Sequence, residues 1–143
     1  MNYNYISVSN EDKIMELGEN SNKFGTLANL SATGANLDLP GFTSDNLDRH
    51  FGSGNISDHS HEYVGFTKVQ YAEKALKLAR SPVGDGIEGY KSTYGKSKGS
   101  IVRYDTSTGD WVRAWSTGVA TMFKPVDGAL YFERKNEAET RSV

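Results

Sequence analysis

The sequence predicts an α+β domain in which N-terminal helices pack on a C-terminal antiparallel β-sheet of about four to five strands. Three observations predict it. An apolar stripe of helical period runs through residues 67–80. Beyond residue 86 the apolar period changes to two, and clusters of turn-forming residues separate the short runs that follow. Helices first and strands last is the order of an α+β domain with helices covering the sheet.

Residues 1 to about 47 carry sparse signals. Asn10 can cap a short helix over 11–17, which Gly18 ends. Gly25, Gly34, Pro40 and Gly41 then punctuate a polar stretch, read as loop with short helical pieces near 26–30 and 44–50. The clearest helix spans Thr67 to Arg80. Thr67 and Gln70 form a capping box, in which each side chain satisfies a free backbone donor of the first turn. Ala72, Ala75, Leu76 and Ala79 form one buried stripe, with Lys68, Lys74 and Lys77 off it. Ser81-Pro82 stops the helix, because the residue before proline resists helical geometry. Five β-prone runs follow, at 87–90, 101–104, 111–115, 119–123 and 130–132. Turns at 106–109, 116–118 and 125–128 make the last four a meander.

The chain has 143 residues, enough for one domain with a modest core, of which 36% are apolar and 15 are glycine. Tyr and Phe supply 14 residues, a large share of the core and of any base-stacking surface. No apolar run is long enough to span a membrane, and residues 1–14 are polar and acidic where a signal peptide is basic and then apolar. With no cysteine, the fold owes nothing to disulfides. Net charge is −2, but unevenly distributed. Residues 1–62 hold three cations against nine acids, a net −6, and residues 63–143 hold thirteen against nine, a net +4. The basic half contains the expected sheet, a surface suited to phosphate.

Chemistry-bearing residues lie in both parts. Strand alternation puts Arg103 opposite Val102 and Tyr104, and puts Thr121 on one face with Val119 and Phe123. A hydroxyl among apolar neighbours needs a hydrogen-bond partner or a substrate. His59 and His61 fall on a loop before the main helix, flanked by Asp58 and Glu62. Imidazole suits acid–base work near neutral pH. His-x-His with carboxylates is also a zinc pattern, although only His50 offers a third histidine.

Asp58-His-Ser-His-Glu-Tyr-Val-Gly65 and Tyr71-Ala-Glu-Lys-Ala75 resemble the stretch leading into the helix of a family of bacterial polymorphic toxin domains. Gly99-Ser-Ile-Val-Arg-Tyr-Asp105, Thr108-Gly-Asp-Trp-Val112, Gly118-Val-Ala-Thr-Met-Phe-Lys-Pro125 and Tyr131-Phe132 resemble its strands. These are C-terminal domains of contact-dependent growth inhibition effectors, similar to the colicin D nuclease and grouped with the barnase–EndoU–colicin–RelE superfamily of metal-independent RNases. The resemblance covers roughly residues 48–134. It implies a toxin domain over 48–143, preceded by an N-terminal segment over 1–47 that is a remnant of a cytoplasm-penetrating region or a helical extension.

The resemblance further implies a cytotoxic ribonuclease, directed at tRNA, that needs no cofactor or metal. Its catalytic residues fall on His59, Arg103, Thr121 and Tyr131, and its substrate-binding residues on His61, Lys124, Lys68 and His50, with Lys124 and Tyr131 in a closing hairpin. Two departures from the family pattern are present: Asp58 and Ser60 replace a basic and glycine context, and Ala120 replaces a strand cation. The implied partners are a cognate immunity protein, tRNA and a host cytoplasmic activator, with a membrane met only during delivery. The implied route is secretion in a larger effector, then delivery to the target-cell cytoplasm. Two other readings remain open from the residues: a non-catalytic nucleic-acid or protein-binding module, and a metal-dependent DNase using His50, His59 and His61.

Overall fold

The structure, a computed structural model, describes residues 30–141, so the helix expected over 11–17 and most of the piece expected over 26–30 lie outside the described residues. Along the chain come α1 (Ser44–His50), a 3-10 turn (Ser60–Glu62), α2 (Lys68–Arg80), β1 (Ile87–Lys91), a second 3-10 turn (Gly95–Ser97), β2 (Ile101–Asp105), β3 (Asp110–Trp115), β4 (Gly118–Phe123) and α3 (Ala129–Glu139). The fold is α+β. Its four strands form one antiparallel sheet in the order β1-β2-β3-β4, as the short β2–β3 and β3–β4 connections favour. The capping box of α2 is present as expected, with Thr67 and Gln70 each satisfying the other's backbone N–H.

Helices cover both faces of the sheet. On one side Tyr71, Ala72, Ala75, Leu76 and Ala79 of α2 pack with Ile101, Val112, Ala114, Val119 and Met122. Leu30, Leu39, Phe42 and Leu47 join the same core, so the packed unit reaches back past residue 48. On the other side Tyr90, Val102, Tyr104 and Trp111 pack with Phe132 of α3. That third layer corrects the sequence reading, which made 130–132 a fifth strand and put Tyr131 in a hairpin. Residues 129–139 are rich in Ala, Leu, Glu, Arg and Lys, whose helix propensity outweighs the β-preference of two aromatics. The far end of α3 is clamped by Glu139, whose two carboxylate oxygens both accept from Arg113 Nη2 at 2.9 Å and one of which accepts from the Tyr90 hydroxyl at 2.8 Å.

The alternation expected along β4 is also corrected. Arg113 pairs with Thr121, but Ala114 pairs with Val119, leaving Ala120 as an extra residue in a bulge. The bulge moves Val119 onto the α2 face beside Met122. Thr121 and Phe123 stay in register with Arg113 and Trp111 on the α3 face.

Arg103 anchors the N-terminal part of the described chain. The residue is fully buried, and all five of its N–H groups donate to backbone carbonyls. Nε reaches Ser81 O at 2.8 Å, Nη1 reaches Ala32 O at 2.9 Å and Val102 O at 3.0 Å, and Nη2 reaches Gly34 O at 3.0 Å and Ser31 O at 3.2 Å. Ser81 caps the C-terminus of α2, where the helix dipole favours a cation. Gly89, opposite Arg103 on β1, lets this side chain cross the strand: a Cβ there would lie 2.7 Å from Arg103 Cδ and 2.5 Å from Val102 O. Burial lowers the guanidinium to about 10, so it remains charged at neutral pH. The side chain expected to hold phosphate is therefore a structural tie.

Replacing Arg103 with Met keeps much of its bulk and removes every donor. Arg103→Met is expected to lower unfolding stability by about 3 kcal/mol, because buried carbonyls lose their partners. Urea unfolding checks this, and a loss below about 1 kcal/mol would contradict the anchoring role.

Candidate active site on the β4 edge

β4 is an edge strand, and its outward-facing backbone groups need partners. Side chains from the helical layer supply them. Asn46 Nδ2 of α1 donates to Val119 O at 3.2 Å and Ala120 O at 3.0 Å. The Tyr71 hydroxyl of α2 donates to Met122 O at 2.6 Å and accepts from Met122 N–H at 3.3 Å. Glu62 Oε1 accepts the Lys124 N–H at 2.7 Å, just beyond the strand. The loop from α1 to the 3-10 turn is thereby held along the sheet edge.

That loop carries the histidines. Asp58 fastens it by accepting three backbone N–H groups, from Gly52 at 2.9 Å and from Gly54 and Ser60 at 2.8 Å. These bonds, led by that from Gly52, hold the Asp58 carboxyl well below the usual carboxylate range. His59 N–H donates to His50 O at 2.8 Å, joining the loop to the end of α1. Three residues apart across the 3-10 turn, His59 Nδ1 and Glu62 Oε2 lie 2.8 Å apart, with 20% and 19% of their side chains exposed. Glu62 thus touches the strand edge with one oxygen and the imidazole with the other. The carboxylate fixes the His59 tautomer with a proton on Nδ1, which leaves Nε2 for a reacting group.

Aromatic rings frame this pair. The His59 ring is stacked against His50 at 6.1 Å and against Phe123 at 5.2 Å between centroids. Tyr131 of α3 meets Phe123 edge-on at 5.5 Å and Trp111 at 5.4 Å. Arg134 and Lys135 each approach the Tyr131 ring at 5.9 Å, placing cations at that end of the row. Among the described residues the half-buried Thr121 hydroxyl has no hydrogen-bond partner, and the indole N–H of Trp111 is a buried donor without one.

The other expected site residues are dispersed or engaged. Lys124 Nζ is held by Asp110 at 2.9 Å and Thr108 O at 3.0 Å, and approaches the Tyr63 ring at 5.0 Å. Asp110 is almost fully buried. Burial alone would raise its carboxyl, but hydrogen bonds from Thr108, Tyr63 and Lys124 outweigh that and hold it low. Lys68 pairs with Asp48 on the surface at 2.7 Å. His61 is mostly exposed, with Nε2 3.5 Å from Glu62 Oε2. Among the described residues no group of three His, Asp or Glu side chains is placed to hold a metal ion.

The structure therefore brings together His50, His59, Phe123 and Tyr131, and keeps Arg103 and Lys68 in bonds of their own. Sequence reasoning missed the bridging role of Glu62, the edge-capping role of Asn46 and the ring of Phe123. The three-residue spacing of His59 and Glu62 was the one signal that could have pointed to the pair. No protein-family model matches the chain, and no curated protein or solved structure matches it either.

Amide exchange tests the bridging role of Glu62. Glu62→Ala is expected to speed exchange of the Lys124 N–H about tenfold or more, because its acceptor is gone. Glu62→Gln keeps an acceptor oxygen and should protect that amide, and equal exchange in both variants would contradict the bridge.

Proposed function

We propose that this chain is a ribonuclease that cleaves RNA, in particular tRNA, by attack of the substrate's own 2′-hydroxyl. The observation that carries the reading is the imidazole–carboxylate pair of His59 and Glu62, half-buried and framed by aromatic rings. RNA brings its own nucleophile, so the protein's tasks are to move protons and stabilise charge. His59, oriented by Glu62, is suited to proton transfer at its free Nε2. The Thr121 hydroxyl, without a hydrogen-bond partner among the described residues, is suited to donate to a phosphoryl oxygen. Tyr131 and Phe123 offer ring surface for a splayed base, the usual mode of reading single-stranded RNA.

The resemblance to polymorphic toxin domains supports the wider reading: a cytotoxic domain delivered into the cytoplasm of a competing cell and neutralised by a cognate immunity protein. DNA, which lacks the 2′-hydroxyl, is not a substrate in this scheme. No resident metal is required by it, because the 2′-hydroxyl is activated by an imidazole.

The test is incubation of the purified chain with total bacterial tRNA, with and without chelator and cell extract, beside His59→Ala. Discrete fragments that persist in chelator and fall about 100-fold or more in His59→Ala are expected. Activity abolished by chelator would favour the metal-dependent reading. RNA bound but left intact in every condition would favour a binding module.

A further inference from the structure

We infer that His50 is the second proton carrier of the site, its Nε2 taking the 2′-hydroxyl proton while His59 Nε2 protonates the departing 5′-oxygen. This assignment rests on the ribonuclease reading above and gives each imidazole one role.

The geometry separates the two rings chemically. His50 Nδ1 lies 2.9 Å from Asn46 O. A carbonyl can only accept, so Nδ1 carries the proton, and the neutral ring keeps its lone pair on Nε2. Asn46 is itself fixed, since its side chain is bound to two carbonyls of β4. His59 instead faces a carboxylate, which offsets the charge of a ring protonated on both nitrogens. The rings lie 6.1 Å apart at 22°, and a main-chain hydrogen bond joins the residues. They are therefore fixed relative to each other, as a base and an acid flanking one phosphate must be.

The surroundings of His50 favour its neutral form. Burial lowers its pKa, and the positive charges of His59 and Arg49 lower it further, against the opposing effect of the Asn46 carbonyl. The groups around the ring are Arg49 on its own helix, His59 and behind it Glu62 on the loop, and the uncharged ring of Phe42 at 5.9 Å. In the step itself the O2′–P bond forms and the P–O5′ bond breaks. The 2′ proton goes to His50 Nε2, and the 5′-oxygen takes the proton from His59 Nε2. The products are a 2′,3′-cyclic phosphate and a 5′-hydroxyl, with no other reactant.

A purely structural histidine would need only its Nδ1 donor at the end of α1. His50→Asn separates the two roles, because an Asn side-chain amide can replace Nδ1–H but leaves nothing at the Nε2 position. The experiment uses the full chain and the RNA oligonucleotide spanning the bond that the wild type cuts. Two forms are compared, one natural and one with sulfur in place of the departing 5′-oxygen, since a thiolate leaves without an acid. His50→Asn is expected to cut both forms about 100-fold or more slowly and to lose the fall in rate that the wild type shows as falling pH protonates His50, below the ordinary imidazole range. His59→Ala is expected to be slow on the natural form but within about tenfold of wild type on the sulfur form.

Cleavage of both forms by His50→Asn within about threefold of wild type would overturn the assignment and leave the ribonuclease reading standing. A wild type that cuts no RNA would overturn both. Should His50→Asn fail to fold, nitrogen NMR of wild-type His50 decides. A neutral Nδ1–H ring whose Nε2 signal moves on binding a 2′-deoxy analogue is expected. An Nε2–H tautomer, or a ring unaffected by the analogue, overturns the assignment.

Discussion

The exposed edge of β4 organises this molecule. An edge strand leaves backbone groups unpaired and invites another chain to pair with them. Here Asn46, Tyr71 and Glu62 occupy those groups, each from a different part of the helical layer. The same contacts place the histidines. The Asn46 carbonyl sets the His50 tautomer, and the second oxygen of Glu62 sets that of His59. Sheet protection and site construction thus share residues, so the imidazoles are held by the fold itself rather than by a mobile loop.

Local rules made part of this legible. The capping box and alanine stripe of α2, and the alternation through β2 and β3, depend on neighbours a few residues apart, and the sequence displays them directly. The misread features depend on distant partners. Tyr131 and Phe132 look β-prone alone, but Phe132 is buried under the sheet and Glu139 is held by Arg113 and Tyr90, which fixes the helix. The Ala120 bulge has no local signal, because its carbonyl partner comes from Asn46, 74 residues away in sequence. Arg103 reads as a strand cation of the kind that meets phosphate, until the carbonyls of residues 31–34 converge on it.

Charge shows the same limit. The formal excess of cations after residue 62 suggests a strongly basic surface, but much of it is consumed internally. Asp110 takes both Lys74 and Lys124, Glu139 takes Arg113 and Lys135, and Asp127 takes Arg134. Recognition of RNA would then depend on rings and oriented hydrogen bonds more than on a broad electrostatic field. Asp58 also has a structural reason. Its carboxylate collects three backbone N–H groups and shapes the loop that presents His59.

The most direct test of the account is the chemistry of the ends left on cleaved tRNA, read by mass spectrometry of the fragments. Attack by the 2′-hydroxyl between two imidazoles predicts a 2′,3′-cyclic phosphate, or its hydrolysis product, facing a 5′-hydroxyl. Fragments bearing a 5′-phosphate would mean that water, not the ribose, is the nucleophile, and would contradict the role given to the β4-edge histidines.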